Sequence, residues 1–71
     1  MLRNRLKQLR LDKGLTQESL ASIVGVTRQT VIAVEKGKFV PSVKLALELA
    51  RALDIPIVEI FWLDSAEGER A

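Results

Sequence analysis

The sequence predicts an all-α protein built from five short helices. Three observations carry that reading. Glycines and hydroxyl residues punctuate the chain at intervals of about ten residues, as helix stops and starts do. Apolar residues between these marks recur at helical spacing. No segment alternates with period two, so no sheet is expected.

The elements follow in order. Leu2, Leu6, Leu9 and Lys13 fall at i, i+4, i+7 and i+11, one face of a first helix. Gly14 follows Lys13 and stops it, with a cation in the last turn. Thr16 reads as the N-cap of a second helix over about Gln17 to Val24, ended by Gly25. Thr27 caps a third helix from Arg28 to Lys36, closed by Gly37. Lys38-Phe39-Val40-Pro41 is a loop. Ser42 caps a fourth helix over Val43 to Leu53, with Leu45, Ala46, Leu49, Ala50 and Leu53 on one face. Asp54-Ile55-Pro56 breaks it, and a short fifth helix runs from Ile57 to Phe61 or Trp62. Residues 1–64 are expected to form one domain and residues 65–71 a fraying tail.

Composition removes several function classes. The 71 residues hold no Cys and no His, so thiolate and imidazole metal sites, disulfides and histidine-based nucleophilic catalysis are excluded. A closed pocket has little room, so no enzyme, cofactor, metal or small-molecule effector is expected. No apolar run approaches the roughly 20 residues that span a bilayer, and the charged start is unlike a signal peptide. A cytoplasmic protein is expected. A single core of this size seldom leaves more than about 3–5 kcal/mol of net stability, so an added staple or a partner subunit is expected.

Charge is unevenly placed. Met1 to Lys44 carries nine basic and three acidic residues, +6, and Leu45 to Ala71 carries two basic and six acidic, −4. A basic front suits a polyanion, and an acidic rear turns away from it. Ordinary solvated surface charge is the plainer reading.

Gln17 to Lys36 is the informative stretch: two helices of about eight residues around Gly25-Val26-Thr27. Ala21 permits a close helix crossing, Gly25 permits a positive φ, and Leu20, Val24, Val26, Val31 and Val34 form an apolar wedge. This is a helix-turn-helix pattern, whose second helix lies in the major groove of double-stranded DNA.

Here the chain resembles the lambda-repressor-like, or Xre-type, helix-turn-helix regulators, and their short stand-alone members in particular. The resemblance rests on Leu6-Lys7-Gln8-Leu9-Arg10, Lys13 to Glu18, Leu20-Ala21, Val24 to Val31, Val34 to Lys38, Pro41-Ser42, Leu45-Ala46, Leu49-Ala50 and Glu59 to Trp62. It covers about Leu6 to Trp62 and implies a compact five-helix fold with the motif at helices 2 and 3.

The resemblance also implies roles. Gln17, opening the second helix, would hold a DNA phosphate with the helix N-terminus. Thr27, Arg28, Gln29 and Thr30 begin the recognition helix. Arg suits guanine, Gln suits adenine, and Thr suits a thymine methyl or a phosphate. Ala33 faces the groove and offers an apolar contact. Lys36 and Lys38 supply charge to phosphates, with Phe39 packing the loop. Plainer readings are a polar first helical residue for Gln17, a solvated cation for Arg28 and a free surface hydroxyl for Thr30. Lys13 and Lys44 are read as surface charges. Arg10 and Glu35 are implied to be the ion pair tying the first helix to the third.

Three residues depart from the family. Ile32 stands on the exposed side of the recognition helix where a small polar residue is usual; it implies contact with a thymine methyl or sugar, or a face that meets something other than DNA. Asp54 occupies a position where Gly often ends the fourth helix, and Pro56 replaces an N-cap Ser.

Ile55 to Leu63 is the densest apolar stretch. Leu47, Ile57, Phe61, Trp62 and Leu63 are the expected homodimer interface, with Trp62, Leu63 and Leu47 outward. A core-capping Trp62 in a monomer is the plainer reading. A two-fold dimer would set two recognition helices about 34 Å apart on a palindromic operator. The expectation is a sequence-specific transcriptional regulator, a repressor by default, controlled through its own level, by autoregulation at its own promoter, or by a partner. The rival expectation is an antitoxin or adaptor that uses the same fold and binds another protein through the C-terminal apolar surface.

Overall fold

A computed structural model describes residues 1–64; the expected tail over 65–71 lies outside the described residues. The order is β1 (Leu2–Asn4), α1 (Leu6–Asp12), α2 (Gln17–Val24), α3 (Arg28–Glu35), α4 (Val43–Leu53), α5 (Ile57–Ile60) and β2 (Phe61–Leu63). All five expected helices are present; α2 and α4 have the expected bounds, and α3 ends at Glu35, one residue before the expected Lys36.

Three of them begin at the expected hydroxyl caps. Thr16 Oγ1 accepts from the Ser19 amide at 2.9 Å, and the Ser19 hydroxyl accepts from the Thr16 amide at 2.8 Å. This reciprocal pair satisfies two amides that α2 alone leaves unpaired. Thr27 Oγ1 accepts from the Thr30 amide at 3.2 Å, and Ser42 Oγ from the Leu45 amide at 3.1 Å. The α2–α3 turn needs Gly25, whose φ is +75°; a Cβ there would meet no atom within 4 Å, so the requirement is conformational. Asp54 ends α4 in the same left-handed region at φ +57°. Pro56 precedes α5 and provides no side-chain cap.

The core is one cluster under the crossing of α2, α3 and α4. Leu6, Leu20, Val31, Val34, Leu49, Leu53 and Ile60 are almost wholly buried. Ala21 is buried at the α2 crossing as expected, with Leu20 and Val24, while Val26 is half-buried against the cluster.

The five-helix fold stands as expected, but the expectation of no sheet needs correction where the two ends of the described chain meet. β1 and β2 pair antiparallel, with Leu2 opposite Leu63, Arg3 opposite Trp62 and Asn4 opposite Phe61. Leu2 therefore does not extend α1. It is half-buried against the core from the strand, and α1 starts at Leu6 because Asn4 Oδ1 accepts from the Leu6 amide at 3.0 Å. α5 ends at Ile60, short of Phe61 or Trp62. There the Ile60 carbonyl accepts from the Arg5 amide at 3.0 Å and the chain turns extended. Phe61, expected at a dimer face, instead points into the core and is 9% exposed. The strand's alternation sends its neighbour Trp62 outward.

Candidate nucleic-acid interface

The expected positions lie on α2, at the α2–α3 turn, along α3 and just beyond it, most of them exposed or half-buried. Arg28 and Gln29 are exposed in the first turn of α3, beside the exposed N-cap Thr27. Ile32 and Ala33 are half-buried one turn on. Ile32 thus reaches the surface less than an exposed position would. Lys36 caps the C-terminus of α3 and is exposed, and Lys38 follows it, its amide donating to the Ala33 carbonyl at 2.9 Å.

Two side chains are already engaged within the chain. The Thr30 hydroxyl lies 3.1 Å from the Thr27 hydroxyl, and Thr30 is half-buried. It is turned along the helix start instead of squarely outward. Gln17 opens α2 as expected, but its Nε2 donates to Glu35 Oε1 at 3.2 Å. One amide hydrogen is thereby committed inward, leaving the second and the backbone amides of the α2 N-terminus.

Glu35 is the only carboxylate on α3, and its charge is withdrawn from the surface. Arg10 Nε meets Glu35 Oε2 at 2.6 Å, with the two side chains 6% and 4% exposed. Arg10 also donates through Nη2 to Glu35 Oε1 at 3.4 Å and through Nη1 to the Leu15 carbonyl at 2.9 Å. The expected ion pair is therefore present, and it anchors α1, the α1–α2 turn and α3 at one point. A buried anion paired this closely contributes little repulsion toward an approaching polyanion.

The expected dimer positions divide. Trp62 is 39% exposed and Leu63 65% at the end of the chain's paired strands, and Leu47 is 53% exposed on the outer side of α4 beside Val43 and Arg51. Ile57 is half-buried against the core. The Arg5 guanidinium carbon lies 5.3 Å from the centre of the Trp62 ring, a cation–π contact that covers part of its face. Sequence reasoning missed this contact and missed Asn4, whose Nδ2 donates to the Val34 carbonyl at 3.0 Å. An Asn two residues ahead of a helical run is the signal, because its side chain readily accepts from the backbone amide two residues on.

Among the described residues no group of His, Cys, Asp or Glu is arranged to hold a metal ion, and no helix is long and apolar enough to cross a membrane.

The model of the helix-turn-helix family matches residues 6–60. The chain is 48% identical over 63 residues to the uncharacterized HTH-type transcriptional regulator YgzD of Bacillus subtilis, covering 89% of this chain and 96% of that one. It is 47% identical over 66 residues to the uncharacterized HTH-type transcriptional regulator MJ0272 of Methanocaldococcus jannaschii, covering 93% and 100%. Its structure is similar to that of the restriction-modification controller protein C.AhdI from Aeromonas hydrophila, with a TM-score of 0.72 and 46% identity over 76% of this chain and 82% of that one. Fold, turn geometry and matched span agree, and the chain belongs to the lambda-repressor-like, Xre-type helix-turn-helix family of DNA-binding transcriptional regulators.

Proposed function

We propose that the chain represses transcription by occupying a palindromic operator as a homodimer, in the cytoplasm, and regulates its own promoter among its targets. The observation that carries this reading is the exposure of Arg28 and Gln29 at the leading turn of α3, with the one α3 carboxylate buried against Arg10 at the other end of the helix. Arg28 reads guanine and Gln29 adenine. Ala33 and the accessible part of Ile32 touch thymine methyls. Thr27, Thr30 and the second Gln17 amide hydrogen meet phosphate oxygens together with the α2 N-terminus, and Lys36 and Lys38 meet the flanking phosphates. Trp62, Leu63 and Leu47, with the edge of Ile57, form the two-fold contact; Phe61 takes no part because it fills the core. No cofactor and no small-molecule effector is required.

The exposed apolar end of β2 also favours a second reading, in which that surface binds another protein and DNA binding is secondary. Selection of bound sites from random duplex DNA, followed by a salt titration on the winner, tests the two readings. The operator reading expects an inverted repeat with half-sites about 34 Å apart. It also expects affinity to fall by about 10³–10⁵ between roughly 50 and 200 mM salt, for a dimer making about 6–10 phosphate contacts. An unsymmetrical selected site removes the dimeric operator. No enrichment of any sequence removes the operator reading altogether.

A further inference from the structure

We propose that Asn4 is a positioning residue for DNA reading: it ties the terminal strand pair to the C-terminal turn of α3 and thereby sets the angle at which α3 enters the groove. The proposal rests on the DNA-reading role of α3 given above.

The Asn4 side chain bridges two elements. Its Oδ1 accepts from the Leu6 amide at 3.0 Å, and its Nδ2 donates to the Val34 carbonyl at 3.0 Å, thirty residues away. That carbonyl already accepts from the Gly37 amide at 3.0 Å, so Asn4 takes the second acceptor site of a carbonyl at the α3 end. The backbone of Asn4 pairs opposite Phe61 in the strand pair, and the next residue, Arg5, donates its amide to the Ile60 carbonyl. Asn4, Val34, Gly37 and Phe61 line one small cleft. The strand pair therefore grips the C-terminal turn of α3 at Val34, while Arg10 grips it at Glu35 from α1.

The lever arm makes this tether matter. α3 has eight residues, about 12 Å at roughly 1.5 Å per residue. A tilt of about 10° about a loosened C-terminal turn moves the leading turn by about 2 Å, enough to break hydrogen bonds whose working range is about 2.7–3.2 Å. Phosphate contacts carry no sequence information, so losing base-edge geometry to such a tilt lowers affinity for the selected sequence and leaves the sequence-independent part of binding.

Only a side chain with an acceptor and a donor performs both tasks. Asn4→Asp keeps an acceptor for the Leu6 amide but sets a carboxylate against the Val34 carbonyl. Asn4→Ser keeps such an acceptor without that charge and is too short to reach Val34, so it serves if the Asp variant does not fold. The experiment compares parent and variants on the duplex selected by the parent and on a scrambled duplex of the same length. Each protein is first verified as folded by circular dichroism at the assay temperature. The expected result is a loss of about tenfold or more on the selected duplex, a change under about twofold on the scrambled one, and faster amide hydrogen exchange at the α3 end in the free protein. An unchanged ratio between the two duplexes, or equal losses on both, overturns the positioning role while leaving the operator reading intact. A parent that does not distinguish the two duplexes overturns both.

Discussion

Glu35→Ala isolates the energetics of the anchor at α3. In the parent the carboxylate neutralises Arg10 at 2.6 Å, with both side chains almost fully removed from water. Alanine leaves the guanidinium buried, with the Leu15 carbonyl as its remaining acceptor among these contacts. Removing one partner of a buried pair costs about 3–5 kcal/mol. A chain of this size holds net stability of about the same amount, so the variant sits at or below its unfolding threshold at 25 °C. For a domain near 60 residues each kcal/mol moves the midpoint by about 4–8 °C, so Tm should fall by at least about 12 °C. Thermal circular dichroism at matched protein concentration measures it. The double variant Arg10→Met with Glu35→Leu should recover much of the loss, because no charge is then left buried. A Glu35→Ala midpoint within about 5 °C of the parent would refute the reasoning, as would a double variant less stable than the single one.

Gly25→Ala should cost about 1–2 kcal/mol through the left-handed backbone alone, since its Cβ meets nothing; chemical denaturation should show a lower midpoint at unchanged m-value. Asp54→Gly should act in the opposite sense, relieving the strained φ of +57° and raising stability by about 0.5 kcal/mol after the entropy lost to glycine, a shift of a few degrees in Tm. Arg28→Ala and Gln29→Ala should each cost about 1–3 kcal/mol on the selected duplex and relax preference at one base pair; repeated site selection with each variant shows whether a single position loses its preference. Unaltered selection by both variants would remove them as the reading residues.

The parts of the fold legible in the sequence are those governed by local chemistry. Thr16, Thr27 and Ser42 cap helices because a short hydroxyl ahead of an apolar run has few better uses, and Gly25 marks the turn because few other residues take its φ. The strand pair was hidden because three residues are too few to display alternation, and Leu2 falls by chance in helical register with Leu6 and Leu9. The same error misplaced Phe61. On a helix it shares an outer face with its apolar neighbours, whereas on a strand it and Trp62 point opposite ways. At the candidate interface the sequence marked the exposed Arg28 and Gln29, but not the inward bond of Gln17 or the Thr27–Thr30 pair. Those depend on how close α2 comes to the end of α3 and on rotamers within the first turn, which no periodicity encodes.

The pairing of Leu2 with Leu63 also sets an order of events during folding. It closes nearly the whole described chain into a single loop, and the entropy of closure rises with loop length. The hairpin of α2 and α3 closes a far shorter one. Helical contacts therefore assemble early, and the end-to-end seal comes last. During synthesis Leu2–Asn4 precede Phe61–Leu63 and must wait for them. Because Asn4 lies in that late seal, its side-chain bond to the Val34 carbonyl is fixed on a recognition helix that has already formed.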